Sequence, residues 1–509
     1  MFEIFCSVQN SRREEYLVVA KGEDELMKVS VIGYKSKKII TEYEVAADSA
    51  MAFLECVENI FDRKCKAFIL DIFNFKPVGY SHVMIFAYEL RNKLNSANFY
   101  NFFYSGHSLF TSGLFITAKI KPSKNDIFLC LYVEDDQILI TEYLFTDRGG
   151  YDQTREEIIE KANEKLAIDL REKILRGLNP KNIIVYGSSK NSLMMRKLKL
   201  EIFSNRKIKR FDANVKKESI KHLLKISKYV CDRKIVKYHV IPKCAKKYEI
   251  YIGDCIISSM TVDVGENLPR TFDGFLPRIK KDLHLVCYNK MGEKGEVIYS
   301  VCLDYRNLHR SKLLFSVDRE SFPLIDIKPQ ILDVIYDLPT TLNETLSKRI
   351  PVIVFCDNFT VICAVKKGEA YYSFLDGWNG IYGNNASMFF NGLRRLFGFE
   401  AMSMKKRRPA NCLTDIIQIM SEPNLGNVED QVFKDGVDRE AIVCFYMNQL
   451  LQIHFDVIRE ETGQFIKDIA FWPILNYGNE KNAFVVNRLL KSVMGFNINF
   501  YLLNYDIPQ

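Results

Sequence analysis

Residues Lys66 to Phe103 read KAFILDIFNFKPVGYSHVMIFAYELRNKLNSANFYNFF, and this stretch decides the fold of the 509-residue chain. A related stretch from Ile466 to Asp506 reads IKDIAFWPILNYGNEKNAFVVNRLLKSVMGFNINFYLLNYD. Each reads as an apolar strand, a turn of asparagine followed by an aromatic residue, a helix and a second strand, and each follows an amphipathic helix. A strand–helix–strand unit that occurs twice predicts two copies of one α/β lobe.

The overall charge is modest, since 71 Lys and Arg stand against 63 Asp and Glu for a net charge of +8. This balance favours no nucleic-acid partner for the chain as a whole. One basic cluster, residues 405–409, fits a solvated loop better than a targeting signal or an anion-binding patch. No apolar run reaches the roughly 18 residues of a membrane span, so we expect no membrane partner either.

The 13 cysteines and 7 histidines form no metal-binding or catalytic pattern. No C-x-x-C pair occurs, and most cysteines stand inside apolar runs, which is typical of buried thiols in a reducing compartment. The first residues lack an apolar core of signal-peptide length. We therefore expect a cytoplasmic or nuclear protein, with no metal site and with no catalytic residue that the sequence identifies.

Alternating apolar residues and turn residues predict the elements of the first half of the chain. A hairpin around residues 34–36 and a helix over 48–61 precede the first strand–helix–strand unit. Further elements follow: a hairpin over 126–146, a helix to about residue 176 that begins at a capping box of Thr154 and Glu157, a strand over 182–186, and helices over 191–201 and 216–230.

From about residue 236 strands dominate, which predicts an all-β unit of sandwich type. The predicted segments are a truncated first lobe at 1–120, a shortened second lobe at 121–235, a β-sandwich at 236–328, a linker at 329–349 and a duplicated first lobe at 350–509.

The order of two α/β lobes and a β-sandwich resembles the seventy-kilodalton heat-shock chaperones, the DnaK-type family. Residues 181–190, KNIIVYGSSK, are similar to the adenosine loop of that family, and Gly149-Gly150 resembles the glycine pair after its second-lobe hairpin. Residues 315–326 are similar to the last hairpin of its peptide-binding sandwich. The resemblance implies an α/β fold of actin-like (ribonuclease H-like) lobes plus a β-sandwich and a second, duplicated α/β lobe.

The resemblance also implies a nucleotide site between two lobes, with ATP or ADP and Mg²⁺ as a weakly held cofactor. Glycines let backbone N–H groups approach phosphate, carboxylates hold Mg²⁺ through water, and a lysine steadies the transferred phosphate. The implied contacts are Gly149, Gly150, Gly187, Ser188, Ser189, Lys190, Asp357 at the metal-side carboxylate position, and Arg394 at the lysine position. Each has an ordinary alternative as a turn glycine, a helix-capping serine or a surface charge.

Several parts of such a site are missing from the sequence. The second-lobe hairpin reads LYVEDDQ over residues 131–137, with no glycine where the family has an aspartate followed by three glycines. The first lobe begins too late to include its own phosphate loop. The stretch between Gly150 and Asn182 is too short for the segment that clamps adenine in the family.

These losses leave two functions open. The chain is a degenerate chaperone relative that binds polypeptide partners with weak or no ATP hydrolysis, or it is an active ATP-dependent chaperone that binds ATP and unfolded protein. We favour the first, because losing preorganised donors costs about 3 kcal/mol of transition-state stabilisation each. Under either hypothesis residues 236–328 would grip an extended polypeptide. A third possibility is that the C-terminal lobe docks on the second lobe at 121–235.

Overall fold

The computed structural model describes residues 14–503 except 135, 148, 254, 279–281, 290–293, 304–306, 392–393, 406–407, 409–411, 415, 424, 426–437 and 475–478. The predicted turn at Asn476-Tyr477, the residues Gly392 and Leu393 and most of the basic cluster at 405–409 therefore lie outside the described residues. The chain divides into two units, the first formed by Met1–Phe272, Leu283–Ser300 and Phe315–Leu324, and the second by Asp273–Asp282, Val301–Leu314 and Ile325–Gln509.

The first sheet of the first unit has five strands in the order β3-β2-β1-β4-β5. Its elements are β1 (Tyr16–Asp24), β2 (Leu26–Gly33), β3 (Ile39–Ala46), α1 (Ala50–Ile60), β4 (Cys65–Phe75), α2 (Val83–Ser96), β5 (Asn101–Phe103) and α3 (Gly106–Thr117). Strands β1, β2 and β3 are antiparallel neighbours, whereas β4 and β5 run parallel to β1. Helical crossovers supply these parallel pairings, and the order is that of a ribonuclease H-like sheet, as predicted.

We expected this lobe to begin too late to include its phosphate loop, but its opening hairpin is present as β1 and β2. Strand β1 pairs with β2 on one side and β4 on the other, so the apolar run from Tyr16 to Ala20 is almost entirely buried. A central strand buried on both faces reads as a continuous apolar run without alternation, which conceals its place in a hairpin. The predicted β2–β3 turn is confirmed, and the amide of Gly33 donates to the carbonyl of Lys38 there.

The second sheet repeats the same order as β10-β9-β6-β7-β8. Its elements are β6 (Ile127–Val133), β7 (Ile138–Thr146), β8 (Gly150–Ile159), α4 (Ala167–Leu175), β9 (Asn182–Gly187), α5 (Leu193–Lys197) with a π-helical turn (Leu198–Ile202), β10 (Ile208–Phe211) and α6 (Ser219–Cys231). Strand β9 runs parallel to β6, and β7 runs antiparallel to it.

The helix predicted to begin at Thr154 is wrong, because residues 150–159 form the strand β8. Thr154 donates its hydroxyl to the Glu142 carboxylate at 2.8 Å, and the backbone of Arg155 pairs with that of Glu142. The spacing of Thr154 and Glu157 does fit a helix start. The open edge of β7 supplies a ladder of hydrogen bonds that outweighs this local preference.

Helices α3 and α6 lie between the first two sheets of the first unit. Leu114 and Phe115 of α3 and Ile226 and Tyr229 of α6 join side chains from both sheets in one apolar core. Helices α4 and α5 instead cover the opposite face of the second sheet, where a separate core forms. Two ribonuclease H-like sheets with helices shared between them make the actin-like arrangement.

Two antiparallel sheets occupy the region predicted to be all-β, and this part of the predicted fold class is confirmed. Their strands are β11 (Lys247–Ile252), β12 (Cys255–Ile256), β13 (Arg270–Pro277), β14 (Asp282–Tyr288), β15 (Glu296–Cys302), β16 (Arg310–Val317) and β17 (Pro323–Gln330). One sheet has the order β12-β11-β14-β15 and the other the order β13-β16-β17.

The segment predicted as a linker folds into two short helices, α7 (Asp333–Tyr336) and α8 (Leu338–Thr345). Ile335, Leu338 and Leu342 are fully buried in a core with the strands that follow. The spacing of these three apolar residues by three and four positions is that of a helix face, which explains why they pack together.

The third sheet lies in the second unit and has the order β20-β19-β18-β25-β26, with β21 beside β19. Counted along the lobe, this is the third, second, first, fourth and fifth strand, as in the first sheet. Its elements are β18 (Val352–Cys356), β19 (Phe359–Val365), β20 (Tyr372–Phe374), β21 (Asn384–Asn385), β22 (Met388–Asn391), β23 (Arg394–Phe397), α9 (Gly398–Lys405), β24 (Cys412–Leu413), α10 (Ile416–Ser421), α11 (Arg439–Thr462), β25 (Asp468–Ile474), α12 (Asn479–Val493) and β26 (Asn499–Leu502). Strands β22 to β24 form a separate small sheet. The predicted duplicated lobe thus has the strand order of the first.

Among the described residues, helix α11 is long and apolar enough, by length and composition alone, to cross a membrane. Its buried residues Val443, Met447, Leu450 and Ile458 pack into the core of the third lobe beneath β18 and β25. A central core helix of an α/β lobe is apolar for this reason, so the composition follows from packing.

Candidate functional site

The β6–β7 turn stands where a two-lobed nucleotide-binding fold would place a phosphate loop. The amide of Glu134 donates to the carbonyl of Gln137 at 3.0 Å, and the Gln137 side-chain amide donates to the Glu134 carboxylate. The amide of Ala162 donates to the carbonyl of Asp136 at 2.9 Å. These bonds close the turn on itself and bring acidic side chains to the carboxyl end of β6.

A cavity of about 750 Å³ lies beside this turn. Its lining residues are Val133, Glu134, Asp136, Gln137, Glu160, Lys161, Tyr186 and Ser188. Three carboxylates and one lysine give the lining an excess of negative charge. Because like charges repel, this lining does not fit a nucleoside triphosphate, whose phosphates need N–H donors and cations.

Gly187, at the carboxyl end of β9, lies at the same edge of the sheet as the β6–β7 turn, because β9 and β6 are parallel. A Cβ on Gly187 would meet the Val133 carbonyl oxygen at 3.3 Å and the Met195 side chain at 3.6 Å. The glycine therefore admits close packing of β9 against β6 and α5. Ser188 lines the cavity, and Ser192 caps α5 by accepting from the Met195 amide.

Ser189 and Lys190, the last two residues of the predicted adenosine loop, make local contacts. The Ser189 hydroxyl accepts from the Asn191 amide at 3.2 Å. The Lys190 ammonium lies 4.0 Å from the Asp212 carboxylate, just after the carboxyl end of β10, and the Lys190 carbonyl accepts from Arg210. Ser188 thus lines the cavity beside the β6–β7 turn and Gly187 lies at the same edge of the sheet, while Ser189 bonds to Asn191 and Lys190 contacts Arg210 and Asp212.

Gly149 and Gly150 lie at the opposite end of the second sheet from that cavity, because β7 returns antiparallel to β6. Gly150 has φ +96°, and a Cβ there would lie 2.2 Å from the His239 carbonyl oxygen. The neighbouring Tyr151 amide donates to that oxygen at 2.8 Å, and the Ile241 amide donates to Tyr151. Because glycine has no Cβ, the backbone of residues 239–241 can pack directly against the glycine pair and hydrogen-bond to the start of β8.

A second cavity, of about 580 Å³, lies at the carboxyl end of β4 and the amino end of α3. Asp71, Asn74, Ser105, Gly106 and His107 are among its lining residues. The β1–β2 turn at Asp24-Glu25 stands at this same edge, because β1 and β4 are parallel. The two turn residues of the first lobe, Asp24 and Glu25, therefore also place carboxylates, and not glycine, where its phosphate loop would lie.

Asp71 is the most perturbed acid of this second cavity. Burial raises the pKa of its carboxyl group to about 6, and the nearby Glu23 adds to this rise. The Lys21 ammonium and the Gly106 amide act in the opposite direction. A carboxyl group that titrates near neutral pH can hold or release a proton, which is the property of a general acid or base.

The sequence analysis did not identify Asp71 as a candidate site residue, although its position in an apolar run could have indicated it. It is the only charged residue in the run from Ala67 to Phe75, which is otherwise apolar apart from Asn74. A lone carboxylate in such a strand must lie at an edge or in a cavity, because burying an unpaired charge is costly.

In the second unit, Asp357 lies in the two-residue turn between β18 and β19, the place of a phosphate loop in the third lobe. The Arg310 guanidinium donates to both of its carboxylate oxygens, from Nε at 2.7 Å and from Nη2 at 2.9 Å. The Asp357 side chain is only 11% exposed and that of Arg310 13%. Because Arg310 already neutralises this carboxylate, it does not fit the metal-side role that the resemblance implies.

A second arginine, Arg278, closes over the same turn and is fully buried. It donates to the carbonyls of Tyr382 and Gly383, and its own carbonyl accepts from the Asn358 side chain. Its guanidinium lies 5.2 Å from the centre of the Phe359 ring. Burial lowers its pKa to about 9. These contacts fill the space around the turn with protein groups.

Arg394 opens β23, in the small sheet of β22 to β24, and its backbone pairs with that of Asn391. Asp357 lies in the turn between β18 and β19 of the other sheet, so the structure places the two implied phosphate contacts on different sheets. Within the part of the chain that the structure describes, no group of three or more His, Cys, Asp or Glu side chains could hold a metal ion.

Comparisons with known proteins add little to this geometry. No protein-family model matches the chain, and no curated protein matches it. Among solved structures, YeaZ from Pseudomonas aeruginosa is similar over 42% of this chain and 92% of its own, at 10% sequence identity and a TM-score of 0.21. At these values the likeness carries no argument. The actin-like fold of the chain follows from the strand order and direction described above.

Proposed function

We propose that this chain is a non-catalytic relative of the DnaK-type heat-shock chaperones that binds polypeptide partners. One observation carries the proposal: the hairpin turns that would cradle phosphates present carboxylates instead. These are Asp24 and Glu25 in the first lobe, and Glu134 and Asp136 in the second. The fold is retained while the chemistry of a triphosphate site is absent from these turns.

Electrostatics supports the loss of ATP hydrolysis in this proposal. Phosphoryl transfer depends on positioned cations and N–H donors around the transferred group. Among its described lining residues, the cavity beside the β6–β7 turn offers three carboxylates against one cation, Lys161. Two unit charges of like sign about 4 Å apart repel by about 4 kcal/mol near a protein surface, so a bound triphosphate would be strongly disfavoured.

An exposed sheet edge supports the polypeptide-binding part of the proposal. Strand β15 lies at the edge of the sheet β12-β11-β14-β15. Val297 and Tyr299 are two positions apart, so their side chains lie on the same face of this strand, and they are 48% and 45% exposed. An extended segment could add to this edge through backbone hydrogen bonds, with the two side chains supplying apolar contacts.

The setting that we propose is the cytoplasm or the nucleus. Most of the cysteines that the structure describes are buried, and burial raises the pKa of several of them, including Cys244 to about 12. A buried thiol of high pKa is inert and needs no disulfide partner, which supports a reducing compartment.

A thermal-unfolding titration with Mg-ATP and Mg-ADP tests the loss of nucleotide binding. We expect no shift in melting temperature at millimolar nucleotide. A saturable shift at micromolar Mg-ATP, followed by phosphate release, would instead establish the alternative function, an active ATP-dependent chaperone that binds ATP and unfolded protein.

Fluorescence anisotropy with a labelled, reduced and alkylated unfolded protein tests polypeptide binding. Wild-type protein should bind this probe without nucleotide, and Val297→Glu with Tyr299→Glu should weaken binding at least about tenfold, because a charge replaces each apolar contact. Leu26→Glu, at another exposed apolar position, is the matched control and should bind as wild type. Equal binding by all three proteins would reject the β15 edge.

A further inference from the structure

The positive charge of the chain is concentrated in one part of the second lobe. Residues 161–217 contain 16 Lys and Arg against 5 Asp and Glu, a net charge of +11, whereas the whole chain has +8. The rest of the chain is therefore slightly acidic. This stretch includes α4, α5 and the π-helical turn, which cover the face of the second sheet that is turned away from the first.

Four aliphatic side chains project from these helices into solvent. Leu166, Ile168, Leu193 and Leu200 are between 65% and 78% exposed. Their neighbours Leu170, Met194, Met195 and Leu198 are fully or almost fully buried against the sheet. The helices thus have a core-facing apolar side and, on the opposite side, a second set of apolar residues that the lobe itself does not need.

Helical spacing places these residues together with cations. Leu193, Arg196 and Leu200 are separated by three and four positions, so they share the outward face of α5 and its π-helical extension. The Lys197 ammonium donates to the carbonyls of Asn163 at 2.9 Å and Lys165 at 2.7 Å. This bond joins α5 to the residues just before Leu166, so both helices contribute to one surface.

We propose that this surface, which we call the outer helical face (Leu166, Ile168, Leu193, Leu200, Arg196 and Lys199), docks on an anionic lipid bilayer. Protruding aliphatic side chains among Lys and Arg are the pattern of interfacial helices, whose apolar side chains enter the bilayer while the cations bind anionic headgroups. This is a peripheral contact, distinct from a membrane-spanning segment, and it is independent of the polypeptide-binding function proposed above.

The aliphatic side chains favour lipid over nucleic acid as the occupant. Phosphates of either partner would attract the excess of cations on this face. Nucleic acid would leave the four aliphatic side chains in water, since its binding sites use aromatic stacking and hydrogen bonds. A bilayer accepts both the charges and the exposed Leu and Ile side chains.

Co-sedimentation of the full chain with vesicles tests this inference. Vesicles of phosphatidylcholine with phosphatidylserine should bind the protein in low salt, and vesicles of phosphatidylcholine alone should not. Arg196→Glu with Lys199→Glu should weaken binding at least about tenfold, because each cation near an anionic surface contributes about a fivefold factor. Lys228→Glu with Lys312→Glu, exposed cations elsewhere, is the matched control and should bind as wild type.

The apolar contribution has its own variant, Leu166→Ser with Leu193→Ser and Leu200→Ser. It should also lose at least about tenfold in binding to the anionic vesicles while keeping the circular dichroism and melting temperature of wild type. Absence of wild-type binding to anionic vesicles would overturn the proposal. So would a serine variant that binds as wild type while the charge-reversal variant does not, because that result describes a general polyanion site.

Discussion

Arg310 and Asp357 form a bidentate ion pair, 2.7 Å from Nε to Oδ2 and 2.9 Å from Nη2 to Oδ1, with both side chains almost buried. Asp357 has φ +44°, so its turn is held in the left-handed region that a non-glycine residue adopts only when its surroundings stabilise it. The pair thus stabilises a β18–β19 turn whose position in the lobe would otherwise suit a phosphate.

Arg310→Leu should destabilise the second unit by about 3 kcal/mol, because it leaves the Asp357 carboxylate buried without its partner. Arg310→Leu combined with Asp357→Asn should recover part of this loss, since asparagine is neutral and tolerates the left-handed turn. Urea unfolding, with hydrogen exchange of β18 and β19 to localise the effect, measures both variants.

The exposed pair of Arg459 and Asp456 is the control for this cycle. Its side chains are 56% and 48% exposed, so Arg459→Leu should cost less than about 1 kcal/mol. An equal loss for Arg310→Leu and Arg459→Leu would contradict the buried role of the Arg310–Asp357 pair.

Gly150→Ala should destabilise the first unit by more than about 2 kcal/mol. The added Cβ would lie 2.2 Å from the His239 carbonyl oxygen, and the backbone there has φ +96°. Gly177→Ala is a matched control, because Gly177 also has positive φ but no atom lies near the added Cβ. Its cost, about 1 kcal/mol from backbone strain alone, should be smaller in the same melting experiment.

Asp71 should make stability depend on pH in the acid-to-neutral range. Its folded-state pKa, about 6, is above its ordinary value of 3.8, so the folded state binds the proton more tightly than the unfolded state. The resulting stabilisation is present below about pH 4 and is lost as the pH rises through about 6.

Asp71→Asn removes this dependence and should therefore be more stable than wild type at pH 8, by about 2 kcal/mol, but not at pH 4. Urea unfolding at the two pH values measures the difference. If the two proteins show parallel pH profiles, Asp71 is not the titrating group in the second cavity.

Glu320 accepts the Phe103 amide at 2.8 Å and lies 3.9 Å from the Arg233 guanidinium, which fixes the β16–β17 turn on β5 within the first unit. Burial raises the pKa of this carboxyl group to about 7. Glu320→Ala should cost about 2 kcal/mol, because the amide loses its acceptor.

The neutral variant Glu320→Gln keeps an acceptor for Phe103 and removes the buried charge. It should be as stable as wild type at pH 8 or more stable, since the carboxylate form is the one that burial disfavours. Thermal unfolding at pH 8 compares the two variants, and equal losses for alanine and glutamine would show that the hydrogen bond contributes nothing.

Much of the fold could be predicted because it depends on local patterns. The strand–helix–strand unit at 66–103 and the hairpin at 126–146 carry their apolar periodicity within short windows, and the structure forms both. Strand β8 could not be predicted in this way. Its Thr154 and Glu157 fit a helix start, and only pairing with β7 makes the segment a strand.

The composition of the candidate sites could be predicted less well, because it depends less on local sequence patterns. Gly187 and Ser188 could be placed near the β6–β7 turn, because a glycine after an apolar strand marks the carboxyl end of that strand. Nothing in the sequence indicated that Arg310 would neutralise Asp357, since the two residues are 47 positions apart. Asp71 carried a visible signal as a lone acid in an apolar strand, but its cavity needs α3 to be in place.

The sequence by itself determined most of the succession of strands and helices and the absence of glycine from the 131–137 hairpin, because residue type and period act over a few positions. Tertiary structure alone decided which charges meet. The partners of Asp357, Glu320 and Asp71 come from distant parts of their own units, and the low-dielectric surroundings that shift the pKa values of Asp71 and Glu320 exist only once those parts are packed together.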